Sequence, residues 1–163
     1  MVVSQDEIAS RVGDQVMRDG GNAIDAAVAT AFALAVTYPT AGNIGGGGFM
    51  LIKRRDGGQV EVIDYRETAP ASAHRDMFLD ADGNADPQKS RFSHLSAGVP
   101  GTVAGLALAL EQAGTISLGD ALRPAIDLAE NGFIVSEQFA GNTKAYEKRL
   151  KQWPARAAVF FKT

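Results

Sequence analysis

Gly42-Asn43-Ile44-Gly45-Gly46-Gly47-Gly48-Phe49-Met50-Leu51-Ile52 is the stretch on which the fold turns. It carries the chain out of an apolar helical segment and into an apolar strand. A second β-rich run, Val60 to Tyr65, follows across Asp56-Gly57-Gly58, and two such runs around Asp-Gly predict an antiparallel hairpin. The direction also rules on nucleotide chemistry. A phosphate cradle of the Walker type needs a Lys-Ser/Thr after its glycines, and a dinucleotide turn leads from strand to helix. Here the order is helix to strand, so the glycines have another purpose. Either they adopt backbone angles closed to other residues, or they let a neighbouring segment approach where a Cβ would block it. A wall of a substrate cleft formed by Gly45, Gly46, Gly47 and Gly48 is compatible with both.

Upstream, Ile8, Val12 and Val16 fall at helical spacing from about Ile8 to Met17, with Ser4 available as a cap and Gly20-Gly21 as the stop. Asn22 is the expected cap of the next helix. Its body from Ala23 to Val36 is apolar all round apart from Asp25 and Thr30, so it must be buried on most sides. Pro39 disfavours helical geometry at Tyr38 and ends it.

Downstream of the hairpin, Thr68 to Ala73 reads as a loop containing Pro70, and Asp80 to Ser90 as a polar, turn-rich surface excursion. Val103, Leu106, Ala107 and Leu110 then mark a helix closed by Gly114. Another starts at Ser117 and stops at Asn131-Gly132, with Pro124 implying a kink or a later start. A weaker helix spans Ser136 to about Lys148. The chain closes on Trp153-Pro154, where Trp153 is a packing residue, and on Val159-Phe160-Phe161, read as a lone strand that needs a partner.

Helix, helix, hairpin and several helices, without βαβ alternation or internal repeat, predict an α+β fold in which an antiparallel hairpin is covered by helices. Residues 1–163 read as a single partial domain, an incomplete fragment cut within its fold.

Composition narrows the chemistry. The 163 residues are 45% hydrophobic and 21% charged, as in a globular chain. A net charge of −3 lacks the clustered basic surface that displaces phosphate counterions, so no nucleic-acid partner is expected. Lys53-Arg54-Arg55 reads as a solvated strand end. Cysteine is absent, which excludes disulfides, thiolate metal sites and a cysteine nucleophile. The apolar stretch from Ala23 to Val36 is shorter than the roughly 20 residues that span a bilayer.

His74 and His94 have no partner at metal-ligand spacing, and no serine lies in a Gly-x-Ser-x-Gly elbow. No metal, no cofactor and no catalytic constellation is therefore expected in this chain. Arg66 stands out, in Asp64-Tyr65-Arg66-Glu67-Thr68-Ala69-Pro70. A guanidinium fork at a strand end can hold a carboxylate bidentately, and the competing reading is a surface ion pair with Asp64 or Glu67.

Taken together, Gly20-Gly21-Asn22-Ala23-Ile24-Asp25-Ala26-Ala27-Val28-Ala29, the segment Gly42 to Met50, Tyr65-Arg66-Glu67-Thr68-Ala69-Pro70, Gly98-Val99-Pro100-Gly101-Thr102-Val103-Ala104-Gly105 and Pro124-Ala125-Ile126-Asp127-Leu128-Ala129 resemble the γ-glutamyltranspeptidase family in order and spacing. The resemblance implies an N-terminal-nucleophile hydrolase, a four-layer αββα sandwich made as one self-cleaving precursor. This chain would be the N-terminal segment of its large subunit. The implied activity is cleavage of the γ-glutamyl amide of glutathione and related compounds, with transfer to water or an amino-acid or peptide acceptor.

In that family the arginine that holds the glutamyl α-carboxylate falls on Arg66. The nucleophilic threonine heads the small subunit of the same precursor and lies beyond residue 163. Thr163 itself has no free α-amine, so the fragment alone is expected to be inactive, and to self-associate over the surface its missing sheet leaves bare. The resemblance also implies a periplasmic or secreted parent protein. Competing readings are an acylase or poly-γ-glutamate transpeptidase of the same superfamily, and a non-catalytic γ-glutamyl-binding domain.

Overall fold

The computed structural model describes residues 1–55 and 57–161 and divides the chain into two compact units, Met1–Gly42 with Gly119–Thr163, and Asn43–Leu118. Asp56 of the expected hairpin turn and Thr163 lie outside the described residues. The architecture is mixed, with helices and one small two-stranded antiparallel sheet.

In the first unit α1 (Glu7–Arg18) packs against α2 (Ala23–Thr37). The cap of α1 is Asp6, not Ser4. The Asp6 carboxylate accepts from the Ala9 amide at 3.1 Å, while Ser4 turns its hydroxyl to the Asp6 carbonyl and to Ser10. A carboxylate at the positive end of the helix is the better partner for its orphan N–H groups.

Asn22 caps α2 as expected, accepting from Ile24 and Asp25 at 2.7 and 3.1 Å. The fully buried Asp25 returns the favour by accepting from the Asn22 amide at 2.7 Å, which completes a capping box. Val28, Ala29, Phe32 and Ala33 are buried, and burial of Phe32 alone contributes about 1.5–3 kcal/mol. The helix is less enclosed than its composition predicts, since Ala23 and Ala27 are exposed.

Contact between α1 and α2 is tight at Gly13, where an added Cβ would lie 2.2 Å from Thr30 Oγ1 and 3.1 Å from the Ala26 carbonyl. Thr30 is itself held by donating to that carbonyl at 2.7 Å.

The second unit carries β1 (Phe49–Lys53) and β2 (Val60–Asp64), antiparallel with Phe49 opposite Asp64 and Leu51 opposite Val62. Alternation along each strand sends Ile52 and Ile63 inward. Phe49, Leu51, Val60 and Val62 are left exposed. Beyond the hairpin, Asp80 to Ser90 is only partly irregular. Asp86 accepts from Gln88 and Lys89 and starts α3 (Pro87–Phe92), with Pro87 in the first turn where its missing N–H costs nothing. A 3-10 turn at His94–Ser96 leads towards α4 (Thr102–Ala113), which packs on β2 and buries Gly105, Leu106, Ala109 and Leu110.

The remaining helices are α5 (Leu118–Asn131), α6 (Glu137–Ala145), α7 (Glu147–Leu150) and α8 (Pro154–Phe160). Pro124 does not delay α5, which begins at Leu118 and continues through it. Gly132 at φ +77° ends that helix, a backbone angle glycine adopts without strain. The single weak helix expected from Ser136 to Lys148 is two, parted at Tyr146. The lone strand expected at Val159-Phe160-Phe161 is instead the end of α8. Pro154 at the helix start and Ala155, Ala157 and Ala158 behind it outweigh the β preference of the valine and phenylalanines.

Candidate substrate-carboxylate site

Arg66 lies two residues beyond the end of β2, and three segments of the second unit meet around it. Tyr65 extends the hairpin ladder by one pair, donating to the Gly48 carbonyl at 3.0 Å and accepting from the Gly48 amide at 3.4 Å. On the other side Thr68 and Val99 exchange amide-to-carbonyl bonds of 3.2 and 2.9 Å. The Asp64 carboxylate accepts from the Arg66 amide at 3.0 Å and tightens the turn out of the strand. Arg66 and Glu67 therefore sit between two fixed points.

The glycine loop completes the enclosure. The buried Gly46 turns its carbonyl to the amides of Gly101 and Thr102, at 2.9 and 3.0 Å, and so supplies the cap that α4 lacks from its own N-terminal side chains. A Cβ on Gly47 would lie 2.4 Å from the Tyr65 carbonyl oxygen and 2.9 Å from the Arg66 Cα, and one on Gly48 would touch the Tyr65 ring at 3.1 Å. Gly46 would strike Asn43, whereas Gly45 is open. None of these four glycines has a positive φ. Close approach of another segment accounts for Gly47 and Gly48; Gly46 is confined by Asn43 of its own loop, and nothing within 4 Å of Gly45 requires a glycine.

The Arg66 side chain is 58% exposed and donates no hydrogen bond among the described residues. Its Nε lies 3.4 Å from Oε2 of Glu67, a buried oxygen that accepts no hydrogen bond. The ion-pair reading of Arg66 thus finds its partner in Glu67, on one edge of the guanidinium fork, which carries further donors on its other edges. Burial pushes the Tyr65 phenol up from its ordinary value. His74 and His94 are exposed, and no group of three or more His, Cys, Asp or Glu among the described residues could hold a metal ion.

Glu67, Gly98, Gly101 and Gly105 belong to this enclosure without having been singled out as site residues from the sequence. An added Cβ on Gly98 would meet the Glu67 side chain at 2.9 Å, and the glycines of α4 would strike Tyr65. The available signal was the segment Gly98 to Gly105, which carries part of the family resemblance but reveals no contact by itself.

Comparison with known proteins gives a consistent picture. A family model described as Gamma-glutamyltranspeptidase matches residues 9–163. The chain is 52% identical over 163 residues to the Glutathione hydrolase proenzyme of Escherichia coli strain K12, covering 99% of this chain and 28% of that protein. Among solved structures it superposes on Helicobacter pylori gamma-glutamyltranspeptidase with a TM-score of 0.95 at 46% identity, covering 100% of this chain and 46% of the other. The corresponding values for Pseudomonas nitroreducens gamma-glutamyltranspeptidase complexed with L-DON are 0.82, 42%, 98% and 44%. The chain spans less than half the length of each of these relatives.

Proposed function

The chain belongs to the gamma-glutamyltranspeptidase family, and from that premise we propose that it forms the N-terminal part of the large subunit of an enzyme that cleaves γ-glutamyl amides such as glutathione. In the parent protein a threonine at the head of the small subunit attacks the γ-carbonyl, its own α-amine taking the proton. The amide C–N bond breaks, the amine leaves protonated, and a γ-glutamyl ester remains. Water or an acceptor amine then breaks that ester and restores the hydroxyl. An exported parent protein rests on the same likeness and would be tested by cell fractionation.

This chain's part is to bind, with Arg66 taking the α-carboxylate of the glutamyl group. The observation that carries this reading is the mounting of Arg66: a half-exposed guanidinium on backbone fixed at Tyr65 and Thr68. Such a fork holds a carboxylate in one orientation and so presents the γ-carbonyl in one place.

Intact masses of the product of the uninterrupted reading frame, followed over time, test the whole. One product becoming two, with threonine at the new N-terminus, is expected. A product that stays whole would return the chain to a binding role without chemistry.

A further inference from the structure

We propose that Gly101 and Gly105 of α4 are positioning residues for Arg66, acting through Tyr65. The inference rests on the reading of Arg66 as the carboxylate contact. A Cβ on Gly101 would lie 2.1 Å from the Tyr65 carbonyl oxygen and 3.3 Å from that of Arg66. One on Gly105 would lie 2.3 Å from both Cβ and Cγ of Tyr65. No such contact can be borne without movement, and three of these partner atoms belong to backbone or to a Cβ that cannot swing aside.

The direction of that movement is set by what is anchored. The start of α4 is tied to Gly46 through the amides of Gly101 and Thr102, and its body is buried at Leu106, Ala109 and Leu110. Tyr65 fixes one side of Arg66 through its backbone bonds to Gly48, but beyond that pair no ladder bond holds it among the described residues, so it resists an added methyl group less than the buried body of α4 does. A methyl group added to α4 therefore displaces Tyr65, and Arg66 is the next residue along. Conformational need does not account for these glycines. Gly101 has φ −112°, and Gly105 is helical, both open to any residue. They are there for room, and the room they leave is occupied by the residue that places Arg66. A displacement on the order of 1 Å at a substrate-orienting group is enough to cost about a hundredfold in rate.

The test uses the full-length, self-cleaved enzyme and two substrates, a γ-glutamyl anilide and the 4-aminobutyryl anilide, which has hydrogen in place of the α-carboxylate. Selectivity is the ratio of their kcat/KM values. Arg66→Ala should collapse it. Gly101→Ala and Gly105→Ala should each lower it about tenfold, through a higher KM for the γ-glutamyl substrate alone. Equal losses on both substrates would mean that the glycines only maintain the fold, and would overturn the inference while leaving Arg66 in its role. Unchanged selectivity in Arg66→Ala would overturn that role and the inference with it. If the α4 variants yield no processed enzyme, Gly48→Ala decides by the same ratio, since its Cβ presses the Tyr65 ring only to 3.1 Å.

Discussion

Arg66 Nε stands 3.4 Å from Oε2 of Glu67, so the guanidinium already has one anionic neighbour and can still receive another. On the proposed role, Arg66→Ala removes the partner of the substrate's carboxylate, and it leaves the buried Glu67 oxygen without its countercharge. Truncating one partner of a buried, hydrogen-bonded charge pair, as the arginine and a bound carboxylate would form, typically costs about 2–5 kcal/mol. In the complete enzyme the variant should raise KM for γ-glutamyl substrates at least tenfold, with steady-state kinetics as the measurement. An unchanged KM would refute the role.

Phe49, Leu51, Val60 and Val62 make one apolar face of the hairpin that the described residues leave open. Uncovered apolar area of this kind drives association. The isolated chain should self-associate in a concentration-dependent way, and Leu51→Lys should reduce this. A monodisperse monomer in light scattering would count against it.

Gly13 leaves no room for a side chain between α1 and α2, with a new Cβ 2.2 Å from Thr30 Oγ1 and 3.1 Å from a backbone carbonyl. Overpacking at such a point costs about 1–3 kcal/mol. Gly13→Ala should lower the unfolding midpoint of the protein in a denaturant titration, and Thr30→Ala in the same molecule should restore part of the loss. A midpoint unmoved by Gly13→Ala would mean that the two helices separate freely.

Tyr65 has a phenol whose ionisation burial opposes, so its pKa is raised in the fold. Below the unfolded value of about 10 its contribution to stability is complete. As pH climbs from there through the higher folded value, the unfolded chain sheds the proton first and that contribution is lost. Tyr65→Phe should make stability less sensitive to pH in this alkaline range, measured by denaturant midpoints at pH 8 and above pH 10. Identical pH profiles for the two proteins would show that the ring is freely solvated.

Local signals were the legible ones. The hairpin could be read because its alternation and turn residues lie within one short stretch, and α2 because Asn22 and Pro39 bracket a run that is apolar but for Asp25 and Thr30. Competition between local signals was harder. Ser4 and Asp6 both suit a helix start, and the carboxylate prevails. At Val159-Phe160 a strand-like pair is overruled by the proline and alanines ahead of it. The site lies at the far end of this scale. Arg66 stood out at a strand end, but only the family resemblance favoured the carboxylate role over an ion pair, since its mounting depends on Gly47, Gly98 and Gly101 arriving from distant parts of the sequence. Spacing along a chain carries no record of such an encounter.

Because α4 is capped by the carbonyl of Gly46 and not by a neighbouring side chain, its first amides find their protein acceptor only when a loop some fifty residues earlier is in place. Formation of the hairpin and of α4 becomes a single cooperative event, a foldon whose opening exposes the Gly101 and Thr102 amides together. Those two protons should show one common protection factor against exchange with solvent, and that factor reports how often the enclosure around Arg66 comes apart.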